Sequence, residues 1–456
     1  VKSTKSPEAI AHFHLDRRRR TEPGTTLMHR PIAFSLIRAL LGSLSPTPRG
    51  IERIDFGYIS HLLDHWPADC FGVLPTPWGM RYFPRERILK GRDRLAAYWN
   101  ETASIGEDGV YSTVVDWLDG CERAREPRDG EASRGARSPL YNRLASLILE
   151  GGVSLGRAMS RLPNRTIYLD IGHTGVSHGA LLGWLRRRPD VDAVLMLHDA
   201  IPLERPDLVH PSTVAQHRRV MANTAAYARA VITPTQAAAD AIQTQLASIG
   251  GGHIPLFPLG LPIDDAFSPA EAACGTATTP YFVVCGAIEP RKNQSMLLSV
   301  WRELLAAHGA AAPRLVLAGR PGHGSDYAVQ EIRQSNLLSG HVLVASGLSS
   351  PALARLIAGA RALLMPSFAE GFGLPPVEAL SVGTPAVLSD IPAHREASGA
   401  FGIYLDPHDP TAWHRAISDL TADTESYRAL KKRIAEFRPL RWDAYMARVG
   451  GVLDGL

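Results

Sequence analysis

The chain has 456 residues, of which 45% are hydrophobic and 21% charged, with a net charge of +4. That length exceeds one compact core and predicts two domains, and the composition is that of a globular protein rather than a disordered or fibrous one. The small basic excess is spread along the chain with no zinc-finger spacing, RNA-binding aromatic signature or basic zipper, so no nucleic-acid partner is expected.

Residues 1–27 are polar and basic, with Arg17-Arg18-Arg19-Arg20, and read as a disordered extension lacking a signal-peptide core. Residues 31–44 are expected to form a short amphipathic helix before a turn ending at Gly50. Residues 120–138 are rich in Arg, Glu, Gly and Asp and predict a surface loop. An α/β rhythm then begins. Thr166-Ile167-Tyr168-Leu169-Asp170 reads as a buried strand followed by the loop Gly172-His173-Thr174-Gly175. Ala193-Val194-Leu195-Met196-Leu197 is the next strand, ending in His198-Asp199, and residues 229–235 are another, with a helix from Gln236. Short apolar strands alternating with helices imply parallel sheets covered on both faces. The expected division is a first domain over 28–262, a linker over 263–280, a second domain over 281–439, and a terminal helix over 440–456 returning to the first.

The most distinctive segment lies in the second domain. Ala362-Leu363-Leu364-Met365 is strand-like, and Glu370-Gly371-Phe372-Gly373-Leu374-Pro375-Pro376-Val377-Glu378 follows it. That order is strand, glycine-rich turn and helix start. Glycine lets a ligand approach the backbone, proline in the first helical turn gives up no needed N–H, and the free amides favour an anion. A carboxylate on each side suits a ligand with both hydroxyls and phosphates, such as a nucleotide-sugar. Lys292 adds a cation. Only six of the 49 basic residues are lysines, and this is the only one between Lys90 and Lys431. A compact ammonium grips phosphate as a point charge. A metal alternative would need an Asp-x-Asp at the carboxyl end of a strand, whereas Asp190-Val191-Asp192 precedes its strand. Cys70, Cys121, Cys274 and Cys285 form no Cys-x-x-Cys pair and read as incidental thiols in a reducing cytoplasm. No apolar run approaches the ~18 residues that span a bilayer.

Glu-x7-Glu with an internal Gly-Phe-Gly-Leu-Pro resembles the signature of retaining glycosyltransferases of family 4. The resemblance extends over residues 281–407 and includes Gly286-Ala287-Ile288-Glu289-Pro290-Arg291-Lys292-Asn293, Leu317-Ala318-Gly319-Arg320, Gly383-Thr384-Pro385-Ala386-Val387 and Leu405-Asp406-Pro407. It implies the GT-B fold, an α/β architecture of two Rossmann-like domains whose parallel sheets face an interdomain cleft. Arg291 and Lys292 would clamp the diphosphate. Glu370 would meet the donor sugar and Glu378 the ribose, with the amides of Phe372, Gly373 and Leu374 on hydroxyls and phosphate. Gly286, Gly319 and Arg320 would border the donor, and Gly347 and Leu348 the nucleobase. This chain has Gly286-Ala287 where many relatives carry Gly-Arg, so Arg291 is expected to take over the missing cation's task.

On the acceptor side, Gly50-Ile51-Glu52-Arg53 resembles the family's Gly-Ile-x-Arg element, and His198-Asp199-Ala200-Ile201-Pro202 its His-Asp-x-x-Pro element. His198 would donate a hydrogen bond to the sugar near the reacting carbon, with Gly50, Arg53, Asp199 and His173 as acceptor-side candidates. The resemblance thus implies transfer of a hexose from a nucleoside-diphosphate sugar, GDP-mannose being favoured, to a glycan or polyprenyl-diphosphate-linked glycan in bacterial polysaccharide assembly. It implies no cofactor and no metal, a cytoplasmic location, and peripheral contact with the inner membrane. A GT-B sugar phosphorylase, a non-hydrolysing epimerase and a non-catalytic nucleotide-sugar-binding scaffold are the rival readings.

Overall fold

The computed structural model describes residues 29–42, 48, 50–101, 108–120, 156–272 and 279–456. The 1–27 extension, all but the first residue of the 120–138 loop, Cys121 and Cys274 lie outside them. The first sheet contains β1 (Ile32–Ser35), β2 (Cys70–Thr76), β3 (Gly79–Pro84), β4 (Arg157–Ala158), β5 (Ile167–Asp170), β6 (Asp192–Met196), β7 (Ala228–Thr233) and β8 (Leu256–Pro258). Their spatial order is β4-β3-β2-β1-β5-β6-β7-β8. Pairing is parallel from β2 through β8, and β3 and β4 add antiparallel edge strands.

Residues 31–44 do not form the expected helix. Ile32–Ser35 is a central strand between β2 and β5, and a helix, Ile37–Gly42, begins only after it. All four strand residues are buried. Ile32 and Phe34 enter the core on one face and Ala33 that on the other, so the run is apolar on both sides. Three consecutive apolar residues and a buried serine show neither a 2.0 nor a 3.6 period, which leaves strand and helix indistinguishable by pattern. Gly50, where the expected turn ends, opens the helix Gly50–His65, whose first turn carries Ile51-Glu52-Arg53.

The second sheet contains β9 (Tyr281–Cys285), β10 (Arg314–Ala318), β11 (Val342–Ala345), β12 (Ala362–Met365), β13 (Ala386–Ser389) and β14 (Ile403–Leu405). It is parallel, in the order β11-β10-β9-β12-β13-β14. Along β9, Phe282 and Val284 enter one apolar layer while Tyr281, Val283 and Cys285 enter the other, the alternation that a strand covered on both faces imposes. The order reverses at β1/β5 in the first sheet and at β9/β12 in the second. Ligands of open α/β sheets bind beyond the carboxyl ends of strands at such switch points.

Two segments tie the halves together. The helix Trp442–Asp454 places Tyr445, Met446, Val449 and Leu453 in the first domain's core, and Trp442 packs so closely on Gly57 that a methyl there would overlap the indole. The helix Gly109–Leu118 belongs by sequence to the first domain, yet it buries Val110, Val114 and Leu118 in the core of the second. Asp108 caps it through the Tyr111 amide and accepts from Ser349 N–H at 3.0 Å, while Arg314 stacks on Trp117. This departs from a first domain running unbroken over 28–262. Its apolar face is equally suited to either core, and sequence pattern does not say which.

Candidate functional site

The loops after β9 and β12 meet at the switch point of the second sheet. After β9, Gly286 adopts φ +121° and lies against Gly319, where any side chain would overlap the Gly286 carbonyl. The chain then turns through Pro290–Lys292 to Asn293, which is left-handed at φ 55° and donates Nδ2–H to the Pro407 carbonyl at 2.9 Å. Gln294 donates to the Ala287 carbonyl and fixes the loop from behind. These contacts aim Lys292 over Gly286 toward β12, with Cε about one van der Waals contact from where a Gly286 side chain would stand.

Glu370 receives it. Lys292 Nζ lies 2.7 Å from Glu370 Oε1, and Arg291 Nη1 lies 2.9 Å from Glu370 Oε2. Arg291 also bonds Glu289 at 2.8 Å and the Ala369 carbonyl at 2.6 Å. All three side chains of this triad are largely buried. Burial alone would raise the Glu370 carboxyl, but the Arg291 and Lys292 charges outweigh it and hold the group well below the usual carboxylate range. Burial pushes the Lys292 ammonium down, against the pull of Glu370. The ammonium has three donors and gives one to Glu370, so two remain for an anion.

Beside the triad, Gly373 at φ +91° begins the helix Leu374–Ser381 with no side-chain cap. Pro375 and Pro376 carry no N–H, so the helix end presents the Leu374 amide and its neighbours as a place for an anion beyond the carboxyl end of β12. Glu378, one turn further on, is buried and bonds Arg53 Nη2 of the first domain at 2.5 Å. Burial raises its carboxyl, opposed by Arg53. Arg53 was expected on the acceptor side; its side chain instead reaches the donor-side glutamate. Gly50 lies beside Leu374.

The first domain's switch-point loops face the same region. His198, just past β6, is buried, and a methyl at Gly371 would collide with its carbonyl oxygen. Thr235 Oγ1 donates to the Gly371 carbonyl at 2.8 Å. The 370–374 loop is therefore seated on His198–Asp199, with Phe372 packed into cores of both domains. His198 Nε2 is 3.0 Å from the Ile171 carbonyl, which only accepts, so the proton sits on Nε2. Nδ1 then carries the lone pair. Burial holds His198 down to about 4, so the ring is neutral near pH 7 and can accept rather than donate at Nδ1, the reverse of the expected polarity. His173 Nε2 accepts from the His198 backbone N–H at 3.0 Å, and burial keeps it neutral too, so it shapes the His198 loop. Asp199 accepts from Ile201 N–H at 3.1 Å and holds the same turn.

The remaining candidates are more peripheral. Arg320 is exposed and its carbonyl accepts from Ile288 N–H. Gly347 and Leu348 are partly buried after β11, with Gly347 at φ +91° in open space. Asp190 is paired with Arg188, and Asp192 with Arg30 at 2.7 Å, so the Asp-x-Asp triplet is engaged in ion pairs away from the switch point. Among the described residues no group of three or more His, Cys, Asp or Glu side chains could hold a metal ion, and no helix is long and apolar enough to cross a membrane.

Two residues escaped sequence reasoning. His394 is fully buried, with Nδ1 on the Ser389 carbonyl at 3.0 Å and Nε2 unpartnered against Gly373. Glu396 resembles a recurring glutamate near the end of the family's donor domain, with a helix-start carboxylate the simpler reading of the sequence, and neither reading gives its partner. It lies late in the helix Pro392–Ser398 and accepts from the Gln236 and Ala237 amides, at 2.6 and 2.8 Å, capping the opposing domain's helix Gln236–Ser248. Neither partner set is visible without the fold.

The glycosyl transferases group 1 family model matches residues 275–437. The serotype-specific mannosyltransferase WbdA of Escherichia coli is 26% identical over 246 residues, 50% of this chain and 30% of that protein. The O-antigen chain mannosyltransferase B of Escherichia coli is 30% identical over 208 residues, 45% of this chain and 52% of that protein. The chain thus spans about half or less of the length of these curated relatives. Sucrose-phosphate synthase from Thermosynechococcus elongatus superposes with a TM-score of 0.54 at 15% identity, over 93% of this chain and 98% of that one. The architecture is the two-domain α/β arrangement of the GT-B fold. The chain is related at low identity to bacterial O-antigen mannosyltransferases.

Proposed function

We propose that this protein is a retaining, metal-independent glycosyltransferase that moves a hexose, mannose from GDP-mannose in the favoured case, to a glycan or polyprenyl-diphosphate-linked glycan at the cytoplasmic face of a bacterial inner membrane. The observation that carries the reading is the Arg291–Glu370–Lys292 triad beside the uncapped helix Leu374–Ser381, at the carboxyl end of β12 and against His198 of the other domain. The relatives named as mannosyltransferases support the choice of sugar.

In this reading the leaving diphosphate gains negative charge as the glycosidic bond breaks. The Lys292 ammonium and the Gly373 and Leu374 amides stabilise that charge with fixed dipoles, which need no reorganisation during reaction. Glu370, kept ionised by its two cations, accepts hydrogen bonds from sugar hydroxyls, and Glu378 takes the ribose. His198 Nδ1 accepts from a sugar hydroxyl near the reacting carbon. The diphosphate oxygen on the same face takes the acceptor's proton, so the anomeric configuration is retained. Incubating the protein with GDP-mannose, UDP-glucose and UDP-N-acetylglucosamine, with and without polyprenyl-diphosphate glycans, should release nucleotide fastest from GDP-mannose with acceptor present. NMR should show an α-linked product. An inverted anomer would remove the retaining mechanism, and release from none of the donors would remove the enzymatic reading.

A further inference from the structure

Arg53 and Glu378 are 325 positions apart and on different domains, yet they form a cross-domain ion pair at the site, Nη2 to Oε1 at 2.5 Å. The side chains are 11% and 2% exposed. The contact is single. Arg53 Nη1 and Glu378 Oε2 are both buried without a hydrogen-bond partner. A guanidinium and a carboxylate can pair through two parallel bonds, and leaving a buried donor and a buried acceptor unmet is costly unless something else meets them. The arrangement is built rather than incidental. Arg53 lies over the buried Phe267 ring at 5.0 Å, and Ser381, on the same helix as Glu378, donates to the Phe267 carbonyl at 2.8 Å.

We infer that Arg53 completes the nucleoside site from the opposing domain, so that the ribose diol bridges Glu378 Oε2 and Arg53 Nη1 and couples nucleotide binding to domain closure. A hydroxyl donates one hydrogen bond and accepts others, which matches one unpartnered acceptor and one unpartnered donor on the two members of a single ion pair; an anion would match only Arg53, and an ammonium only Glu378. Glu378 stands one turn beyond the Gly373–Leu374 amides proposed for the diphosphate, the order in which phosphate and ribose follow one another in a nucleotide. Glu396 and Thr235 close the same interface at other points. Because Arg53 reaches Glu378 only when the domains meet, a ligand that holds both favours the closed form, and closure tightens the ligand by the same factor.

The inference rests on the donor-site reading, and the experiment separates the two. Calorimetry with the full chain compares GDP and UDP with their 2′,3′-dideoxy counterparts. The wild type should prefer the ribose form by about 5- to 150-fold, the span of typical coupling between linked sites. Arg53→Gln should erase most of that preference, weakening the ribose nucleotide while leaving the dideoxy form within about threefold, and Glu378→Gln should do the same. Arg53→Lys, which keeps the charge, should recover part of it. Equal weakening of both nucleotide forms, or no change in either, in a variant with wild-type melting would overturn the role of Arg53 and leave the donor site standing. Absence of GDP and UDP binding to the wild type would overturn the donor site and the inference together.

Discussion

Replacing Lys292 by alanine isolates the cation that the triad directs toward the diphosphate. Two effects must be separated. In the folded protein, Glu370 loses its partner at 2.7 Å but keeps Arg291 at 2.9 Å, so it does not become an unpaired buried charge. The folding penalty should therefore be about 1–3 kcal/mol, the range for a single buried hydrogen bond, rather than the about 3–5 kcal/mol of a fully orphaned charge. At the ligand, the loss is a charge-assisted bond of about 1.5–3 kcal/mol, which corresponds to about 10- to 150-fold in Kd. Lys292 is only 8% exposed, so added salt should screen that contact little. Calorimetric titration with GDP and UDP reads the ligand term and a thermal melt reads the first. Lys292→Arg should not rescue binding, because a planar, longer fork replaces the compact ammonium that lies over Gly286 where a side chain would otherwise stand. A Lys292→Ala protein that melts normally and binds both diphosphates within twofold of wild type would refute the clamp.

Four other outcomes follow. His198→Ala should lower turnover more than donor affinity, since Nδ1 is proposed to accept from the sugar as charge develops; a pure Kd effect would contradict that role. Activity should survive EDTA, and loss restored by manganese or magnesium would remove the fixed-cation account. Asp55, raised to about 8 by burial and then by the Asp170 charge, stays protonated in the fold above its ordinary value of 3.8. Its contribution is therefore fully present below about pH 4 and lost as pH rises through about 8, so Asp55→Asn should gain stability over wild type between pH 5 and pH 9, on the order of a few kcal/mol. Urea melts at the two pH values check this, and an unchanged difference would refute it. Gly57→Ala should push Trp442 off its seat and cost about 1–3 kcal/mol, read as a lower Tm.

What the sequence made legible was short-range. The strand Ala362–Met365, the glycine turn and the helix start at Leu374 follow from residues in direct succession, and they lie where the pattern places them. Strands at β5, β6 and β7 were readable for the same reason, within a residue or two at their ends. What was not legible depends on tertiary choice. Ile32–Ser35 is buried on both faces, so it carries no period. The helix Gly109–Leu118 has an apolar face that could serve either domain, and only the fold puts it beside β11. Arg53 on Glu378, Glu396 on the Gln236 helix end, and His394 behind Gly373 are contacts between distant segments. The His198 tautomer needed the Ile171 carbonyl, which no motif specifies.

A crystal structure of the protein with GDP bound, at a concentration well above Kd, measures the central claim most directly. The account predicts the β-phosphate within hydrogen-bond reach of Lys292 Nζ and the Leu374 amide, between the carboxyl ends of β9 and β12, with the first domain closed over it. A nucleotide seated elsewhere, or one at this edge whose phosphates touch neither group, would contradict it.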